Sequence, residues 1–237
     1  MNILVACEES QRVTIELRKR GHNAFSCDIL PPSGGHPEWH ILGDVIPLIN
    51  GNCQFLTIGG VQTTIEGKWD MIIAFPPCTH LAVSGARHFE KKRANGKQRD
   101  GIQFFCNFLK ANCDKIVIEN PVDIIGGGEY IKQHFPDLSA DYGLPIKPTQ
   151  IIQPYEYGEP AKKTTCLWIK GLNPLIPTSI VEPKLVKYKC QNGKTATFSE
   201  DYCVGVGDRA KRRSKTYIGI AKAMAEQWTP DLTRGGV

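Results

Sequence analysis

The residues of this 237-residue chain whose types could do chemistry stand where apolar runs stop. Cys78 follows Phe75-Pro76-Pro77 after the run 69–75, and Glu119-Asn120-Pro121 follows the run 115–118. A thiol becomes a strong nucleophile once it ionises, and a backbone turned sharply by two prolines presents it rigidly. A carboxyl group beside it can hold or deliver a proton. Two more carboxylates, Asp28 and Asp44, close other apolar segments, and a carboxylate after the second strand of an α/β unit commonly holds ribose hydroxyls. Alone, a Cys is ordinarily a small buried apolar residue and an Asp a turn former. Together, the set reads as a nucleoside-bearing pocket beside a thiol and a carboxyl group.

Positioning these groups requires a sheet. Residues 2–6 are a short apolar run, Val13, Ile15 and Leu17 recur at helical spacing before Gly21, and 23–29 form a second run, which predicts strand, helix, strand. Trp39 to Val45 leads into Gly43-Asp44 at a further strand edge. The continuous run 69–75 has the pattern of a strand buried on both faces. Residues 100–112 place Ile102, Phe105, Cys106 and Leu109 on one helical stripe, 115–118 form another buried strand, Cys166 to Ile169 form an apolar stretch, and 217–228 form an amphipathic helix. From 172 to 212 the chain is rich in Pro, Lys and Gly without strong period. Alternating strands and helices predict an α/β class with a mostly parallel sheet, whose ligands bind beyond the carboxyl ends of the strands. The loop from Ala6 to Ser10, Asp28, Asp44, Cys78 and Glu119-Asn120 should therefore face one pocket.

Composition narrows the class. Apolar residues make up 41% and charged residues 22%, enough for a large core, and no apolar run approaches the roughly 18 residues of a membrane span. The amino terminus lacks a basic segment ahead of an apolar one, so a soluble, cytoplasmic protein without a membrane partner is expected. Nine Cys, none in a C-x-x-C pair, predict free thiols in a reducing compartment and no metal site. The net charge is only +5, but cations cluster in 87–99 (Arg87, Lys91, Lys92, Arg93, Lys97, Arg99) and in 209–215 (Arg209, Lys211, Arg212, Arg213, Lys215). Clustering suits a polyanionic partner as well as it suits a solvated loop. For His36, Trp39 and His40, a packed loop over the sheet edge is favoured over a metal or base-stacking cluster.

Phe75-Pro76-Pro77-Cys78 after one buried strand and Glu119-Asn120-Pro121 after the next resemble the Pro-Pro-Cys and Glu-Asn-Val motifs of the 5-methylcytosine DNA methyltransferase family. The opening NILVACEESQRV and the segment AFPPCTHLAVSGA are similar to its phage and prophage branch. The resemblance implies a Rossmann-like S-adenosylmethionine-dependent methyltransferase fold with a small extra region, S-adenosylmethionine as cofactor and DNA as partner. It implies that Cys78 adds to cytosine C6 while Glu119 hydrogen-bonds N3, with Pro77, Asn120 and Lys163 completing the catalytic set. Asp28 falls where the family holds the ribose, with Ile29 beside it, and Asp44 falls where it contacts the adenine. Ala6, Cys7, Glu8 and Ser10 fall where it cradles the methionine part, with Pro76 adjoining. The family's first loop is Gly-rich, whereas this one has no Gly, and Lys163 stands where the family carries Arg. Arg87, Lys91, Lys92 and Arg93 occupy the place of its catalytic loop, and Arg212 and Arg213 add a second nucleic-acid contact. Residues 1–171 would be catalytic, 172–212 a reduced target-recognition region, and 213–237 a helix returning to the catalytic domain. Because 172–212 is small for base readout, sequence specificity should be low or supplied otherwise. Two alternatives stay open: the same chemistry on single strands, RNA or nucleotides, and a nucleic-acid- or protein-binding regulator built on this fold.

Overall fold

The computed structural model describes residues 1–189, 195–199 and 214–233. In chain order its elements are β1 (Asn2–Ala6), α1 (Arg12–Lys19), β2 (Asn23–Asp28), β3 (His40–Leu42), β4 (Cys53–Leu56), β5 (Gln62–Ile65), β6 (Met71–Ala74) and α2 (Phe89–Ala94). There follow α3 (Lys97–Leu109), β7 (Ile116–Asn120), α4 (Tyr130–His134), α5 (Pro136–Tyr142), β8 (Gln150–Ile152), β9 (Thr165–Lys170), β10 (Leu185–Lys189), β11 (Thr195–Ser199) and α6 (Ile218–Trp228). The central sheet has seven strands in the order β3-β2-β1-β6-β7-β9-β8. β3, β2, β1, β6 and β7 run parallel, whereas β9 is antiparallel to both its neighbours. The expected Rossmann-like α/β arrangement with a mostly parallel sheet is therefore present.

Alternation along the strands builds two cores. In β1, Leu4 and Ala6 face one cluster while Ile3 and Val5 face the other, and in β6 Ile72 and Ala74 oppose Met71 and Ile73. Side chains on successive residues of a strand point to opposite faces, so an apolar run without alternation demands cover on both. Ile102, Phe105, Cys106 and Phe108 of α3 cover the first face. Val13 and Leu17 of α1, with Ile220, Met224 and Trp228 of α6, cover the second.

Several elements differ from the sequence expectations. The helix expected at 100–112 runs from Lys97 to Leu109, and the strand expected to stop at 118 continues through Asn120. The antiparallel hairpin β4–β5 was not foreseen, nor were α2, α4, α5 and β8. Within 172–212, where no period was read, β10 and β11 form an antiparallel pair. These strands are short and mostly exposed, so their sequences carry little of the hydrophobic alternation from which strands are recognised. Arg212 and Arg213 lie outside the described residues. No helix among the described residues is long and apolar enough to cross a membrane.

Candidate active site

The parallel strands deliver their carboxyl ends to one edge. Between the ends of β1 and β6, where the strand order reverses, crevices form in doubly wound sheets. Here a cavity of about 840 Å³ opens. The loop Cys7–Ser10 and Asp28 line one end, and Cys78, Glu119 and Asn120 line the other.

Without glycine, the first loop still makes the turn that follows a strand in such folds. Cys7 (φ 59°) and Gln11 (φ 57°) both adopt the left-handed conformation, which costs a side-chain-bearing residue of order 1–3 kcal/mol where the surroundings enforce it. The surroundings are visible. The Glu8 carboxylate is buried and accepts from Val13 N–H (2.6 Å), Thr14 N–H (3.2 Å) and Thr14 Oγ1 (2.7 Å), capping α1 from within the loop. Burial pushes the Glu8 carboxyl up to about 7 against these donors. The Gln11 side chain donates to His36 O (2.8 Å) and accepts from His36 N–H (3.1 Å), tying the loop to the segment after β2. Glu8 thus lines the cavity with its carboxylate committed to the helix.

Asp28 ends β2, and its Oδ1 accepts the Leu30 N–H (2.9 Å). Burial is the main cause raising its carboxyl above the usual range. Ile29 and Leu30 follow with exposed apolar side chains on the cavity. Pro76 and Ser10 also line it, while Ala6, the last residue of β1, is wholly buried beneath. Asp44 stands beside Asp28, since Gly43 N–H donates to Asp28 O (2.9 Å), but it is exposed, its Oδ1 accepts from Ile46 N–H (3.0 Å), and it does not line the cavity. His36 stacks on Trp39 at 3.8 Å, and buried His40 is held between Ser26 Oγ (2.8 Å) and Leu30 O (3.0 Å), so these residues pack the loop over this edge.

At the other end, the one antiparallel strand of the central sheet sets the surroundings of Cys78 and Glu119. Because β9 runs against β7, with Asn120 opposite Cys166, the residues entering β9 arrive where the parallel strands leave. Lys163 Nζ thereby comes to 3.8 Å from Glu119 Oε1, with both side chains largely buried. Cys78 begins a turn in which its carbonyl accepts from Leu81 N–H (3.0 Å) and Ala82 N–H (2.9 Å). Its thiol is raised above the ordinary range, first by burial and then by the Glu119 carboxylate, while Lys163 pulls the other way. Pro77 precedes it on the cavity wall. Asn120 is buried and its amide favours the charged form of the Asp123 carboxyl, yet Asn120 Nδ2 and Asp123 Oδ2 complete no hydrogen bond of good geometry among the described residues. Burial still pushes Asp123 up to about 7.

This electrostatic arrangement is testable without any substrate. Alkylation of Cys78 by iodoacetamide, followed on its own peptide by mass spectrometry, is expected to accelerate only above the ordinary thiol range. Glu119→Gln removes the charge that disfavours the thiolate, so the neutral-pH rate should rise a few-fold, whereas Lys163→Gln should lower it. Equal rates in all three proteins would detach Cys78 from the Glu119–Lys163 pair.

The four cations of segment 87–93 divide. Lys91 and Arg87 are exposed, but Lys92 donates to Thr79 O and Arg93 to the Tyr130 hydroxyl, so two of them brace the turn after Cys78. The structure also adds Ser214, Lys215 and Thr216, which the sequence reading did not place here. Arg12 Nη1 donates to Thr216 O (2.6 Å) and Lys215 Nζ to Ser33 Oγ (2.8 Å), fixing this stretch against the start of α1 and the loop after β2. No local pattern marks them. They reach the cavity because α6, just downstream, packs beside α1.

No family model matches the chain, and no curated protein matches it. Among solved structures it is similar to a candidate DNA modification methyltransferase encoded within a prophage of E. coli, at 13% identity and a TM-score of 0.45. The match covers 77% of this chain and 52% of that one, so the chain spans about half the length of that protein.

Proposed function

We propose that the protein transfers a methyl group from S-adenosylmethionine to C5 of cytosine in DNA through a covalent Cys78 adduct. The observation that carries this reading is the convergence of Cys78 and Glu119, from the ends of adjacent strands, on one cavity whose far end presents Asp28. That cavity fits the cofactor by its donor set: a half-buried carboxylate for a ribose diol, and the exposed side chains of Ile29 and Leu30 for a flat apolar ring. Bound there, S-adenosylmethionine supplies an electrophilic methyl group.

The chain's own residues would prepare the acceptor. Cytosine C5 is a poor nucleophile, and addition of the Cys78 thiolate to C6 makes it an enamine carbon. Glu119, carrying a proton, hydrogen-bonds N3 and steadies the charge that reaches the ring. A protonated Glu119 no longer opposes the thiolate, while Lys163 continues to favour it, so proton placement at N3 and nucleophile activation reinforce one another. In this reading Lys163, beside Glu119, supplies the cation for the base's O2. Once solvent water has taken the C5 proton, the electron pair of that C–H bond re-forms the C5–C6 double bond and the C6–S bond breaks, which restores the thiolate. A base in a duplex must leave the stack to reach Cys78, at a cost of a few kcal/mol. The exposed Arg87 and Lys91, in the segment after Cys78, offer phosphate contacts, and residues 172–212 serve as a reduced target-recognition region.

Incubation with methyl-labelled cofactor and a panel of duplex DNA, single-stranded DNA, RNA and nucleotides tests the reading. Label on C5 of cytosine in duplex DNA is expected. Label on RNA or nucleotides alone would reassign the substrate, and absence of transfer with every substrate would overturn the reaction. In calorimetry, Asp28→Ala should weaken cofactor binding by the roughly 1.5–3 kcal/mol of a charge-assisted hydrogen bond. Unchanged affinity would place the ribose elsewhere.

A further inference from the structure

The turn that carries Cys78 and the turn that leaves β7 meet as a short ladder. Val83 N–H donates to Val122 O (3.1 Å), Ile124 N–H donates to Leu81 O (3.2 Å), and Ala82 lies opposite Asp123. The ladder divides two cavities. Ala82 and Val122 line the site described above, Asp123 and Ile124 line a second cavity of about 460 Å³ on the other side, and Val83 lines both.

The second cavity is built rather than incidental. Arg93 donates to the Tyr130 hydroxyl and lies over the Tyr130 ring at 5.5 Å. That hydroxyl donates to Gln98 Oε1 (2.8 Å), and fully buried Gln98 donates to His80 O (3.2 Å), so Arg93 is anchored to the turn after Cys78. Asp123 Oδ1 accepts from Ile125 N–H (2.9 Å) and Gly126 N–H (3.1 Å), which fixes the opposite wall. Two guanidinium groups, Arg87 and Arg93, face this space, and among the described residues neither forms an ion pair with a carboxylate. Guanidinium groups are the preferred partners of phosphate. Val83, Phe89 and Ile124 supply apolar surface, and Glu90 on the rim can accept from an exocyclic amine. The volume is that of a small-ligand site.

Resting on the methyl-transfer reading above, we propose that this second cavity receives the nucleotide next to the target cytosine on the same strand. Arg87 and Arg93 hold its phosphate, and its base rests on Val83, Phe89 and Ile124. A nucleotide whose neighbour has been extruded has lost a stacking partner, and the cavity offers a replacement surface one ladder away from Cys78. Glu90 on the rim then gives the loop after Cys78 a share in reading sequence context, beside the small 172–212 region.

Duplexes carrying one 5-fluorocytosine, either intact or with an abasic position immediately 5′ or 3′ to it, test the proposal by the rate of covalent trapping. With wild-type protein, one of the two abasic duplexes is expected to react roughly tenfold more slowly than the intact one, the scale of a lost base contact. Arg93→Gln also loses its tie to Tyr130, so Arg87→Gln, at an exposed side chain, is the deciding variant, with thermal unfolding run to verify its fold. In Arg87→Gln the intact and abasic duplexes should react at nearly equal, slower rates. Trapping of the intact duplex with no penalty for either abasic neighbour overturns this inference and leaves the methyl-transfer reading standing. A penalty of undiminished size in Arg87→Gln places the neighbouring base elsewhere and likewise overturns it. Failure to trap even the intact duplex removes the reading on which it rests.

Discussion

With S-adenosylmethionine present, duplex DNA containing 5-fluorocytosine is expected to convert the wild-type protein into a stable, slowly migrating covalent species, and Cys78→Ser is expected to suppress it by at least roughly a thousandfold. Fluorine at C5 cannot leave as a proton, so once the thiolate has added to C6 and the methyl group has been accepted, elimination has no route and the adduct persists. Serine keeps the turn and its carbonyl bonds to Leu81 and Ala82 but offers a hydroxyl that does not ionise near neutrality. Glu119→Gln should slow trapping by roughly a hundredfold or more, since an amide cannot place a proton on N3. The same variant should make Cys78 more reactive towards iodoacetamide, because a carboxylate that raises the thiol has gone. Opposite signs in the two assays distinguish loss of a proton donor from general damage to the site. Trapping that survives Cys78→Ser would move the nucleophile to another of the nine Cys.

Gly219→Ala is expected to destabilise the fold by roughly 1–3 kcal/mol, and more if α6 cannot shift. A Cβ at Gly219 would lie 1.8 Å from Tyr157 O and 2.9 Å from Tyr157 C, a clash with backbone that no rotamer change relieves. The Gly219 N–H also donates to Glu159 Oε1 (3.2 Å), so retreat of the helix would stretch that bond. The midpoint of thermal unfolding should fall by roughly 2–4 °C for each kcal/mol lost. Helix propensity alone predicts the reverse, since Ala is favoured over Gly by about 1 kcal/mol. A raised midpoint would therefore refute the close approach seen here. Since Ser214, Lys215 and Thr216 reach the cavity just upstream of this crossing, cofactor affinity should fall along with stability.

The strands were legible because their burial is written locally. Ile72, Ile73, Val117 and Ile118 leave no polar face, which already demands a sheet covered on both sides, and the Pro-Pro-Cys and Glu-Asn-Pro segments directly after such runs must emerge at a sheet edge. The hairpins and short helices were not legible, because mostly exposed elements of four to seven residues show no period long enough to read. The glycine-free first loop is explained only by its surroundings: Glu8 and Gln11 supply the bonds that hold Cys7 and Gln11 in left-handed geometry. Nor could spacing reveal that Lys92 and Arg93 of a basic segment turn inward to bind Thr79 and Tyr130, since charge clustering is the same whether cations face solvent or brace a turn. What the sequence by itself determined is which groups stand at strand ends. Only the tertiary structure decided which of those ends meet: one antiparallel strand brings Lys163 to Glu119, and the packing of α6 beside α1 brings residues 214–216 to the cavity. The physical reason is that a hydrophobic period reports whether an element is covered, while the identity of the covering element is a long-range choice made by strand order and direction.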